Sequence, residues 1–100
     1  MPKQAKKVSK KEIGMQYAIV TFRSRNQTAR MYDVFCANGV PAKIINTPRE
    51  ANVGCGISIR FDIAFLSKAK MLVNRCPQSS FVGFFKITVV GGRYLAKYID

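Results

Sequence analysis

The spacing of apolar positions changes several times along the chain, and each change marks an element. Tyr17-Ala18-Ile19-Val20-Thr21-Phe22 is a nearly unbroken β-branched and aromatic run. That is the pattern of a strand covered on both faces, with order beginning at Gln16. Ser24 with Gln27 three residues later makes a capping-box signature. The helix it opens carries Met31, Tyr32, Phe35 and Cys36 at helical spacing. Gly39 suits the left-handed position after its last turn, and Pro41 forbids continuation. Residues 42–45 read as a second short strand. Residues 46–56 read as a loop, with Pro48, Gly54 and Gly56 as breakers.

Ile57-Ser58-Ile59-Arg60-Phe61 then alternates, placing Ile57, Ile59 and Phe61 inward and Arg60 outward. Asp62 is a cap residue for a second helix, whose stripe runs Phe65, Leu66, Ala69, Leu72, Val73 and Cys76. Pro77 ends it, because the residue before a proline is driven out of the helical region. Residues 81–90 form a fourth strand, and Gly91-Gly92 is a two-residue hairpin signal. Residues 93–99 return as a fifth strand or dock as a terminal segment. The order β-α-β-β-α-β implies an α+β domain of the ferredoxin-like split βαβ type: an antiparallel sheet with two helices on one face, plus a C-terminal strand or segment.

Composition sharpens that picture. One hundred residues, 48% of them hydrophobic, suit one core and leave no room for a second. The expected division is a flexible basic tail over residues 1–14, with lysines at 3, 6, 7, 10 and 11, and a single domain over 15–100. No apolar stretch approaches the ~20 residues of a membrane helix. No apolar block follows the N-terminal lysines as in a secretory signal, so no membrane association and a cytoplasmic location are expected. Seventeen Lys and Arg against five Asp and Glu give a formal net charge of +12. Such a charge attracts polyanions, whether nucleic acid, anionic lipid or an acidic protein.

Chemistry-bearing residues are few. There is no His, no phosphate-loop glycine pattern and no Ser or Cys with an adjacent base. A carrier or binding protein is therefore favoured over a stand-alone enzyme, with no metal and no cofactor. Cysteines stand at 36, 55 and 76, with no CxxC pair. Cys36 and Cys76 lie on apolar helix stripes and read as small core residues. Cys55 stands between Gly54 and Gly56, in a loop just before a strand, with Arg49 upstream and Arg60 downstream. Flanking glycines leave a sulfur sterically open. Positive charge favours the thiolate, which is the nucleophile and forms only about 3% of an unperturbed thiol at neutral pH. Cys55 as a small residue filling a tight loop is the equally weighted alternative.

Thr47-Pro48-Arg49-Glu50 and Gly54-Cys55-Gly56-Ile57-Ser58-Ile59-Arg60-Phe61 resemble the selenium/sulfur (Se/S) carrier protein-like family. Its members read Thr-Pro-Arg-Glu, small residues, Cys-Gly, then a short strand ending Arg-Phe. The resemblance spans about residues 17–73, including the Asn-Gly-Val-Pro turn at Asn38 to Pro41. Val53-Gly54 stands where small hydroxyl residues are usual, and the lysine tail and C-terminal extension lie outside the pattern. The resemblance implies that Cys55 holds sulfur or selenium as a persulfide or selenosulfide. Arg49 and Arg60 would stabilise the anion, and Glu50 would orient Arg49 by a salt bridge. The implied partners are sulfur or selenium donor and acceptor proteins, with acidic surfaces matched to the charge. Two other functions fit the sequence. One is a nucleic-acid-binding module acting mostly through the lysine tail. The other is a structural or regulatory homodimer paired through Tyr94, Leu95, Tyr98 and Ile99.

Overall fold

A computed structural model describes residues 15–51 and 53–99. The expected tail over residues 1–14 lies outside the described residues. Elements follow in the order β1 (Met15–Phe22), α1 (Arg25–Ala37), β2 (Ala42–Asn46), β3 (Ile57–Phe61), α2 (Leu66–Arg75), β4 (Phe81–Val90) and β5 (Arg93–Ile99). The strands make one five-stranded sheet in the order β2-β3-β1-β4-β5, with every neighbouring pair antiparallel. The fold is thus α+β, with a five-stranded antiparallel sheet and two helices. Residues 93–99, open between strand and docked segment from the sequence, form β5 at the sheet edge.

Local chemistry explains the boundaries. Ser24 Oγ accepts from Gln27 N at 3.2 Å and opens α1. The reciprocal half of the capping box does not form. Gln27 Oε1 instead accepts from Ser80 N at 2.9 Å, and Ser24 N donates to Ser80 Oγ at 3.2 Å. The start of α1 is therefore tied to the turn before β4, far away in sequence. Asp62 Oδ1 accepts from Ala64 N at 2.8 Å and caps a short 3-10 turn, Ile63–Phe65, which leads into α2. Cys76 closes α2, and Pro77 follows it.

Each sheet face has its own apolar cluster. Ala18, Val20, Phe22, Ile59, Phe61 and Phe84 face the helices, where Met31 and Phe35 of α1 and Ala69, Leu72 and Val73 of α2 cover them. Edge-to-face ring pairs order this layer, with Phe35–Phe61 centroids 5.6 Å apart and Phe61–Phe84 6.2 Å apart. On the opposite face Tyr17, Ile19 and Ile87 gather with Ala51, and Ile45, Val53, Phe85, Val89 and Ala96 pack around them. Ala51 and Val53 belong to the β2–β3 loop, which folds back over the sheet. That cover explains why residues 17–22 of the central strand β1 are all buried, as their unbroken apolar run implied.

Candidate functional site

The β2–β3 loop, residues 47–56, is closed at its base. Thr47 N donates to Gly56 O at 2.9 Å, and Thr47 Oγ1 bonds the fully buried Ser58 Oγ at 2.6 Å. Ala51 N donates to Pro48 O at 3.0 Å, making a tight turn of Pro48-Arg49-Glu50-Ala51. With its ends joined and Ala51 packed on the sheet, the segment is a compact Ω-type loop.

Gly54 and Gly56 hold Cys55 in place by different means. Gly54 has φ +81°, and a Cβ there would lie 2.9 Å from Phe22 O, so no side chain fits without moving backbone. Cys55 N donates to that same Phe22 O at 3.1 Å. The loop thus lies against the end of β1, just before the chain enters α1. Gly56 has φ +95° but open space around it, so it requires only the left-handed conformation.

The Cys55 side chain is half-buried. Its Sγ lies 3.8 Å from Thr28 Oγ1 and 3.8 Å from Ile57 O. Thr28 stands in the first turn of α1, and its hydroxyl donates to Ser24 O at 2.9 Å. With that proton engaged, the thiol S–H is the natural donor toward Thr28 Oγ1 or Ile57 O. A sulfur that had lost its proton could regain a donor if the Thr28 hydroxyl turned from Ser24 O, since hydroxyl rotors are free to do so.

The other sequence-derived residues divide into two groups. Thr47, Pro48, Arg49, Val53, Gly54 and Gly56 line a recess of about 270 Å³ that includes both neighbours of Cys55 but not Cys55 itself. A second recess of about 360 Å³ shares the Thr47-Pro48-Arg49 wall and adds Tyr17, Ile45, Asn46, Glu50, Arg60 and Tyr94. Arg49 is therefore common to both. Arg60 is directed to the second: its guanidinium carbon lies 4.1 Å from the Tyr17 ring centroid, and Nη2 reaches Met15 Sδ at 3.2 Å. Burial raises the Tyr17 phenol above its ordinary pKa of 10.0, Arg60 opposes that rise, and Tyr94 adds to it. Glu50 is exposed, and among the described residues no ion pair joins it to Arg49. No group of three or more His, Cys, Asp or Glu converges among the described residues as a metal would need.

The helix cysteines separate. Cys76 packs against the helix-side core as its stripe position implied. Cys36 does not: it is exposed. Its position lies just past the face that Met31 and Phe35 bury, and the inward place one turn before Met31 goes to Thr28. Cys36 is instead a neighbour of Tyr32, whose phenol pKa is raised, chiefly by a hydrogen bond to the thiol. Sequence reasoning passed over Thr28 and Ser58 because polar residues do not register in an apolar stripe. Thr28 shares the buried helix face with Met31 and Phe35, which was the available signal, whereas Ser58 falls on the Arg60 face of β3 and its burial against Thr47 had no local signal.

Residues 17–76 match the family described as Putative Se/S carrier protein-like. The chain belongs to that family. The match begins in β1, contains the whole Cys55 loop and ends at Cys76, leaving β4 and β5 outside. No curated protein and no solved structure matches the chain.

Proposed function

We propose that this Se/S carrier-family chain carries sulfur or selenium on Cys55. The observation that carries this reading is the fixed geometry of the cysteine. Gly54 is pinned against Phe22 O, Cys55 N is bonded to the same oxygen, and the half-buried Cys55 side chain is held with its sulfur 3.8 Å from Thr28 Oγ1 and Ile57 O.

In the proposed transfer, the Cys55 thiolate attacks the outer sulfur of a donor persulfide. A sulfur–sulfur bond forms at Cys55 as the donor's own bond to that sulfur breaks, and the donor leaves as a thiolate. The oxidised sulfur atom is passed along unchanged, so no external oxidant, reductant or metal enters. A selenosulfide donor follows the same path with selenium as the outer atom. Arg49, on the same loop, supplies positive charge toward the new anion, while Arg60 is held over the Tyr17 ring in the second recess and adds only to the general positive field. Thr47, Pro48 and Glu50 shape the turn that presents Arg49. The donor and acceptor are proteins whose acidic surfaces complement a chain of net charge +12, and the setting is the cytoplasm. The β2-β3-β1-β4 order supports reading the domain as ferredoxin-like, with β5 added at the edge.

The test is to treat the reduced protein with a small-molecule persulfide and locate added sulfur by peptide mass. The expected result is one extra sulfur on Cys55 ahead of Cys36 and Cys76, and none at that position in Cys55→Ser. Sulfur arriving first on the more exposed Cys36 would sink the proposal.

A further inference from the structure

The 360 Å³ recess, on the sheet face opposite the helices, shares Arg49 and Arg60 with the proposed carrier site but opens on tyrosines for which the carrier chemistry has no use. Tyr94 lines it and is 42% exposed; Tyr98, four residues along β5 on the same face, is 57% exposed. Four residues of extended strand separate them by about 13 Å. Tyr98 does not hang free. Its ring lies where a Cβ on Gly83 would sit, 2.6 Å from Cε1, and it meets Phe85 edge to face at 5.6 Å. Glycine on β4 therefore seats the ring against the sheet while more than half of the side chain stays open.

Cations stand in the recess that Tyr94 lines. Arg60 lies over Tyr17 inside the recess, Arg49 stands at its wall, and exposed Lys43 is the cross-strand partner of Arg60. Asn46 and Thr47 add hydrogen-bonding groups to the same lining. At about 360 Å³ the recess is large enough for one nucleotide-sized ligand. Rings and a guanidinium plane next to positive charge make a stacking platform with phosphate partners. The pairing of exposed rings with cations and hydrogen-bonding groups in one nucleotide-sized recess is what favours a base with its phosphate as the occupant.

We propose that this face binds single-stranded nucleic acid, with bases stacking on Tyr94 and Tyr98 and phosphates meeting Arg49, Arg60 and Lys43. The surface differs from the basic N-terminal segment, and the proposal is independent of the carrier role of Cys55. Glu50, which lines the same recess, opposes a phosphate and sets a limit on affinity.

The test is fluorescence anisotropy of a labelled single-stranded oligonucleotide with the full-length chain, its Tyr94→Ala and Tyr98→Ala variants, and Cys55→Ser. The tyrosine variants keep the net charge of +12, so they separate stacking from attraction by lysines. Each is expected to weaken binding roughly five- to hundredfold, with an unchanged circular dichroism spectrum. Glu50→Gln is expected to tighten binding, and Cys55→Ser to leave it unchanged. Wild-type affinity in both tyrosine variants would overturn the proposal by showing retention through charge alone, as would equal competition by polyglutamate. A nucleoside monophosphate that displaced the oligonucleotide at equal nucleotide concentration would make the free nucleotide the ligand and overturn the nucleic-acid reading.

Discussion

The two faces of the sheet are built on different terms. Toward the helices, six strand residues meet two helices in a layer of Phe and aliphatic side chains, and Phe22, Phe35, Met31 and Ile59 there lose all contact with water. On the other face a loop replaces the helices. Ala51 and Val53 cover Ile19 and its neighbours, while Tyr94 and Tyr98 remain open and Arg60 lies over Tyr17. One face holds the protein together. The loop that partly covers the other also carries the cysteine, so the residues free to do chemistry are those that the core does not need.

That contrast can be broken most severely from the helix side. Phe35→Ala removes a fully buried ring from the cluster, and a loss of about 3–5 kcal/mol in denaturant unfolding is expected. Tyr98→Ala on the open face should cost only about 0.5 kcal/mol. A loss as large as that of Phe35→Ala would mean that the open face is core.

Within the loop, Gly54→Ala must displace Phe22 O as well as adopt φ +81°. It should cost about 1–3 kcal/mol in the same assay and shift the alkylation rate of Cys55. Gly56→Ala, with open space around its Cβ, should cost about 1 kcal/mol, since only the left-handed conformation is strained. Equal costs at the two positions would show that contact with the end of β1 does not anchor the cysteine.

Thr47→Val strands the buried Ser58 hydroxyl at the base of the loop. A loss of about 1–3 kcal/mol in denaturant unfolding is expected, because the Ser58 hydroxyl stays buried without its Thr47 partner. The smallest effect concerns pH. Burial raises the Tyr17 pKa above 10.0, so the folded state favours the neutral phenol. Stability is intact below that pH and falls as pH rises through the raised folded value. Tyr17→Phe should reduce this alkaline loss, measured by urea unfolding at a series of alkaline pH values; an unchanged slope would remove Tyr17 as its source.

Much of the architecture was legible because each element carries its own local signal. The period-two run at β3, the Ser24 and Asp62 caps, Pro77 after α2 and the Gly91-Gly92 turn each specify a boundary without outside help. What stayed hidden depends on distant partners. Gln27 left its capping box half made and bonded Ser80 because the turn before β4 arrives there. Cys36 faces water because it lies one residue past Phe35, outside the face that Thr28, Met31 and Phe35 bury. The loop between β2 and β3 has no periodicity, so nothing local foretold Ala51 and Val53 packing on the sheet. At the site, the Gly-Cys-Gly triplet marked Cys55 from the sequence, and Arg49 lines a recess together with Gly54 and Gly56. Arg60's place on the Tyr17 ring follows from the antiparallel register of β1 and β3, which puts Arg60 opposite Ile19.

The most direct test of Cys55 as the working residue is a ranking of the three thiols. Reduced native protein is treated with limiting iodoacetamide at neutral pH, and the rate at each cysteine is followed by peptide mass. Reactivity at Cys55 above that of the more exposed Cys36, lost to a common rate on unfolding in urea, is the predicted result. Rates that simply follow exposure, with Cys36 fastest in the folded protein, would contradict the account.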